Sequence, residues 1–71
     1  MKLSAGERRT YQNGTQLDGK EFEVIRVWTY PDGEDVYEVI LGDGIYYMSQ
    51  VVVDDYHSKG QLSDEIRECK V

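Results

Sequence analysis

The sequence predicts a mainly β fold: a small antiparallel meander or barrel with a short C-terminal helix, in one domain spanning residues 1–71. Three observations predict it. Residues 22–53 hold three runs rich in Val, Ile, Tyr, Phe and Trp, the residue types that suit a pleated, half-buried surface. Two glycine-bearing turn sequences, "YPDGED" and "GDGI", separate those runs. After Gly60 the pattern changes to "LSDEIRECKV", where Leu62, Ile66 and Cys69 or Lys70 fall near helical spacing.

Residues 1–19 are rich in Gly, Asn, Ser and Asp and poor in apolar residues, so they read as largely irregular. Tyr11 and Leu17 are their anchors. A short strand near residues 9–12 or 15–17 stays open. Asn13-Gly14 is a turn pair, because both residues tolerate positive φ. Residues 22–30, "FEVIRVWTY", form the first confident strand. Phe22, Val24, Arg26, Trp28 and Tyr30 share one parity, and Ile25 and Val27 share the other. Apolar residues on both parities predict a bent strand whose buried face switches at a bulge near Arg26.

In "YPDGED", Pro31 presets φ for the first corner, Asp32 suits the second, and Gly33 supplies the left-handed residue. Residues 36–41 form the second strand, with Tyr37, Val39 and Leu41 on one face. Asp43-Gly44 is the expected two-residue hairpin turn. Residues 45–53 are the expected third strand, completing a three-stranded meander over residues 22–53. A short helix is expected over residues 61–70, capped by Ser63 and begun by Asp64 and Glu65. A last strand ending at Val71 is its rival.

A chain of 71 residues buries only roughly 60% of the surface its unfolded form exposes, which leaves little stability to support a deep cavity. Size therefore weighs against catalysis. Cys69 is the only cysteine, so neither an internal disulfide nor a thiolate metal cluster is available. A reduced, cytoplasmic setting fits better than secretion. No apolar run approaches the length of a membrane span, so a soluble protein with no membrane partner is expected.

The net charge of −6 is uneven. Residues 1–17 carry +2, residues 18–38 carry −5, residues 39–56 carry −3, and the remainder balances. Acid thus falls in the expected sheet and its turns. Such a surface repels phosphate backbones and attracts basic protein patches, so nucleic acid is the less favoured ligand.

Six tyrosines stand beside Trp28 and Phe22, more aromatic area than so small a core needs. Tyr37 and one of Tyr46 and Tyr47 are expected in the core, since Tyr46 and Tyr47 point to opposite faces. The others supply rigid, amphipathic contact area of the kind enriched in interface hot spots. His57 beside Asp54 and Asp55 offers the residue types of a general base or a metal site. Adjacent acids on an extended chain point apart, however, so convergence there needs a turn. The chain shows no motif for a cofactor.

Residues 22–56, a hydrophobic strand followed by "YPDGE", "VYEVILGDGIYYMS" and an apolar stretch ending in "DDY", resemble the middle of a small SH3-like barrel of the Tudor and KOW type. That resemblance implies a module binding peptides, methylated side chains or nucleic acid, and an N-terminal strand that closes the barrel. In composition the chain is also similar to small acidic accessory proteins of bacteriophages, some of which inhibit host nucleases or polymerases by mimicking nucleic-acid charge.

Together these readings imply a non-enzymatic module that meets a basic site of a larger protein. The expected docking residues are Asp32, Glu34, Asp35, Glu38 and Asp43 for charge, with Trp28, Tyr46 and Tyr47 for apolar anchoring. The alternative is a nucleic-acid-binding module using Arg8, Arg9 and exposed tyrosines. Unpaired sheet edges leave a homodimer open.

Overall fold

The structure, a computed structural model, describes residues 1–63 and the backbone of residues 67–68. Among the described residues, five antiparallel strands form one sheet: β1 (Glu7–Thr10), β2 (Glu21–Thr29), β3 (Asp35–Leu41), β4 (Gly44–Ser49) and β5 (Arg67–Glu68). Their order across the sheet is β4-β3-β2-β1-β5. One helix, α1 (Gln50–Ser58), lies between β4 and β5 in the chain. No pairing joins β4 to β5 among the described residues, so the meander is open and has not closed into a barrel.

β2 and β3 form where alternation placed them, and β4 forms over the first part of its expected range. The expected bulge is present: Val24 pairs with Val39 and Arg26 with Glu38, so Ile25 is the extra residue. Its consequence is large. Before it, Phe22 and Val24 face the core; after it, Val27 takes the core side opposite Tyr37. Arg26, Trp28 and Tyr30 are thereby turned to the opposite face. The "YPDG" turn forms as expected, with Gly33 at φ +90° and its N–H donating to the Tyr30 carbonyl at 2.8 Å.

The second turn is shifted by one residue from the expected Asp43-Gly44. Leu41 pairs with Gly44, leaving Gly42 and Asp43 as the two turn residues. Gly42 sits at φ +61° and Asp43 is not left-handed, the signature of a type II′ turn with glycine first.

The third strand ends at Ser49, not at residue 53. Ser49 pairs with Val36, and β3 has only Asp35 beyond it, so the ladder runs out of partner. Ser49 then caps α1, its Oγ accepting from the Val52 N–H at 3.3 Å. The helix forms despite three β-branched valines because Val53 is fully buried and Tyr56 packs on the core one turn on. Gly60, at φ +70°, ends it. Ser49→Ala is expected to cost about 1 kcal/mol, read as a lower denaturation midpoint with an unchanged m-value.

Half of the helix expected over residues 61–70, at 64–66 and 69–70, lies outside the described residues, Cys69 included. Where that segment is described it is extended: Leu62 bridges Tyr11, and Arg67–Glu68 pair with β1. Edge pairing along β1 offers backbone hydrogen bonds that a short helix there would forgo. The open question at the N-terminus resolves to β1, at residues 7–10.

One face of the sheet carries the core. Phe22, Val24, Tyr37, Val39 and Met48 come from strands, and Leu3, Tyr11, Val53 and Leu62 cover them. Tyr37 is the hub. Its hydroxyl accepts from the Leu3 N–H at 3.3 Å and donates to the Gln50 side-chain oxygen. Gln50 in turn donates to the Met1 carbonyl and to Asp54, so one phenol ties the N-terminus, β3 and α1 together.

Candidate functional site

The opposite face of the sheet has no layer over it among the described residues. Strand parity after the bulge puts Arg26, Trp28 and Tyr30 of β2 and its exit there. Val36, Glu38 and Ile40 of β3 join them, with Ile45 and Tyr47 of β4. The rings converge. Trp28 meets Tyr47 edge-on at 5.9 Å between centroids and Tyr30 edge-on at 6.5 Å. Tyr47 is 62% exposed and Tyr30 47%.

A cation already rests on this cluster. The Arg26 guanidinium lies 5.2 Å from the centre of the Trp28 ring. It also donates to Glu38 at 2.7 Å, an ion pair that raises the arginine further above its ordinary value. Arg26, Glu38 and Tyr47 are consecutive cross-strand neighbours on three strands. Tyr30 and Tyr47, both exposed, are the rings left open to a second planar or compact cation.

The expected acidic face is divided by the fold. Glu38 is 8% exposed and spent on Arg26. Asp35 lies three residues before it and so points to the other side of the sheet. There it receives Lys2 at 2.8 Å and the Thr29 hydroxyl at 2.6 Å, and these bonds hold its carboxyl below the usual range. Asp32 and Glu34 sit in the β2–β3 turn beside Tyr30, with Asp32 accepting from the Glu34 N–H at 2.9 Å. Asp43 sits in the β3–β4 turn, at the other end of β3 and roughly 20 Å away by strand rise. Trp28, Tyr47 and Glu38 therefore share one face, Asp32 and Glu34 lie in the turn that adjoins it, Asp35 lies on the other face, and Asp43 lies at the far end of β3.

Tyr46 also leaves the expected set. It has the core-side parity, opposite Val39, and its ring folds back over Gly44, where an added Cβ would approach it within 2.7 Å. Neither Tyr46 nor Tyr47 is buried, contrary to expectation. Met48 fills the place opposite Tyr37, and Tyr11 is the second buried tyrosine.

The other expected sites are committed elsewhere. Arg9 is 5% exposed and bonds Glu7 and the Ser63 carbonyl, while Arg8 pairs with Glu21 and Glu23. Both lie on β1, three strands from Tyr46 and Tyr47. Among the described residues these two arginines form no basic groove beside exposed rings, which is what single-strand binding would need. Around His57, Asp54 receives the N-terminal ammonium at 3.0 Å and Asp55 receives Lys59 at 3.0 Å. No group of three or more His, Cys, Asp or Glu placed to hold a metal ion occurs among the described residues.

A cavity of about 200 Å³ opens between Tyr11, Thr15, Gln16, Leu17, Tyr56 and Gln61. It is smaller than the roughly 300–1,000 Å³ of small-molecule sites and carries no charged lining residue. Burial, with neighbouring Tyr56 as a second cause, pushes the Tyr11 phenol up to about 12. The folded state thus holds the neutral phenol more tightly than the unfolded chain does. The stability this carries is full below pH 10 and is lost as pH rises through about 12. Denaturation midpoints between pH 8 and pH 12 are expected to fall less steeply for Tyr11→Phe than for the parent. Parallel profiles would remove Tyr11 as the cause.

Comparison with protein-family models, with curated proteins and with solved structures finds no match for this chain. No helix among the described residues is long and apolar enough to cross a membrane.

Proposed function

We propose that this chain is a non-enzymatic protein-binding module that docks the Trp28–Tyr30–Tyr47 cluster onto a basic surface of a larger protein. One observation carries the reading. Three rings meet on an uncovered sheet face, and a guanidinium already lies against them. An incoming Arg or Lys would find the exposed Tyr30 and Tyr47 rings, with Asp32 and Glu34 in the adjoining β2–β3 turn. Tyr and Trp are the residues that dominate interface energetics. The net charge of −6 steers such a partner in from a distance.

The docking surface is thus an aromatic cluster with an acidic rim, in place of an acidic hairpin face. In the SH3-like reading, β1 would be the first strand, lying between β2 and β5 in a sheet that is open between β4 and β5. The wider reading is a cytoplasmic accessory or inhibitor protein of a phage or other mobile element. It would occupy a basic site on a nucleic-acid-processing partner, and its support is the small size and acidity of the chain.

Trp28 is the only tryptophan, so its fluorescence reports on the site directly. Titration with an arginine- and lysine-rich peptide is expected to change that emission, and the affinity should fall as salt rises. No response to the basic peptide, or equal response to an acidic one, would contradict the proposal.

A further inference from the structure

We infer that β4 is a self-pairing edge, and that two copies of this chain join through it as an antiparallel dimer with its two-fold axis at Tyr46. This goes beyond the docking proposal and does not rest on it: the backbone groups of the sheet edge carry the pairing, and Tyr47 is the one docking residue it touches.

β4 is the outer strand on its side of the sheet, six residues long, whereas the opposite edge, β5, has two. Edge strands normally carry charge, proline or a bulge that blocks further pairing. The sequence of β4, "GIYYMS", has no charged residue and no proline, in a chain where 31% of residues are charged. Its pairing with β3 runs without a register shift. None of the turn, loop and cap backbone hydrogen bonds among the described residues involves residues 44–49.

Antiparallel geometry fixes which groups are free. In a two-residue hairpin the closing pair, Leu41 and Gly44, exchanges hydrogen bonds, and the pattern then alternates. Gly44, Tyr46 and Met48 therefore bond to β3. Ile45 and Tyr47 point their N–H and C=O groups away from the sheet.

A second copy fits those groups in one register. Antiparallel pairing about Tyr46 sets Ile45 against the partner's Tyr47, with both outward backbone pairs satisfied. Tyr46 meets its own counterpart. Gly44 falls opposite the partner's Met48, and Asp43 opposite the partner's Ser49. No like charges are opposed, and an aliphatic–aromatic pair forms twice. Ile45, 55% exposed, and Tyr47 would each lose water contact. A basic peptide strand would find no carboxylate on β4 to meet its lysines, so the edge suits a copy of itself better. The pairing is isologous, as a two-fold dimer requires.

The two copies carry −6 each, so salt should favour this dimer by screening their repulsion. That is opposite to the salt response expected for docking a basic partner, and the two proposals fail separately. Sedimentation of the parent from 10 μM to 1 mM is expected to show the mass rising from 8.2 kDa towards twice that value, at lower concentration in 0.5 M than in 0.02 M NaCl. Tyr46→Lys places like charges at the axis and should abolish the dimer, as should Tyr46→Glu. Tyr46 is 54% exposed, so both variants are expected to keep the parent circular dichroism. Mixed in equal amounts, the two should recover a dimer through the opposed charges. A parent that remains at 8.2 kDa throughout, variants that dimerise like the parent, or a mixture that stays monomeric would each overturn the inference.

Discussion

Tyr37→Ala is expected to leave the domain largely unfolded at room temperature. The ring is fully buried and is the largest side chain that is. Truncating a buried aromatic to alanine costs about 3–5 kcal/mol. A chain of this length has only of order 5 kcal/mol in total. The loss also strands the Leu3 N–H and Gln50, which Tyr37 holds in place. Tyr37→Phe separates the two contributions. It keeps the packing and deletes the hydroxyl, so a cost of about 1–3 kcal/mol is expected. Circular dichroism and denaturant titration read both. An alanine variant with the parent's denaturation midpoint would show that the core is organised elsewhere.

The second large effect is expected in binding. Trp28→Ala and Tyr47→Ala should each weaken a basic peptide by about 2 kcal/mol or more, roughly thirty-fold. Calorimetry is the appropriate readout, since Trp28→Ala removes the fluorophore. Both side chains lie on the uncovered face, so secondary structure should survive. The rings are 5.9 Å apart, so the double variant should lose less than the sum of the two. Asp43→Asn, at the other end of β3, should change binding by less than about 0.5 kcal/mol. Equal losses at Asp43 and Trp28 would point back to diffuse charge and away from a cluster.

The sheet was readable because alternation in β2, β3 and β4 is strong and the turns carry glycine where the backbone needs it. The bulge was readable too, from apolar residues on both parities of residues 22–30. α1 was not. Three valines in a row favour a strand, and only the length of β3 reveals that a strand there has nothing left to pair with. Ser49 before the valines and Gly60 after them are a cap and a stop, and they were the available signal.

The candidate site was half readable. An aromatic excess pointed to exposed rings, and Trp28 and Tyr47 do meet on one face with Glu38. Tyr30 was missed as a site residue, although after the bulge it shares parity with Trp28. Asp35 and Glu38 could have been separated from spacing alone, since three residues along a strand change the face. Asp43 could not join Asp32 when a whole strand lies between their turns. The pairing of Lys2 with Asp35 and of the N-terminus with Asp54 depends on the path of residues 1–6, which no periodicity records.

The uncovered aromatic face is tested most directly by amide chemical-shift mapping on ¹⁵N-labelled protein during titration with an arginine- and lysine-rich peptide. The expected result is saturable shifts in the amides of Arg26, Trp28, Tyr30, Glu38 and Tyr47 and in the Trp28 indole N–H, with residues 11–17 and Asp43 little changed. Shifts centred on the Tyr11–Gln61 cavity, or spread evenly over every acidic turn, would contradict it.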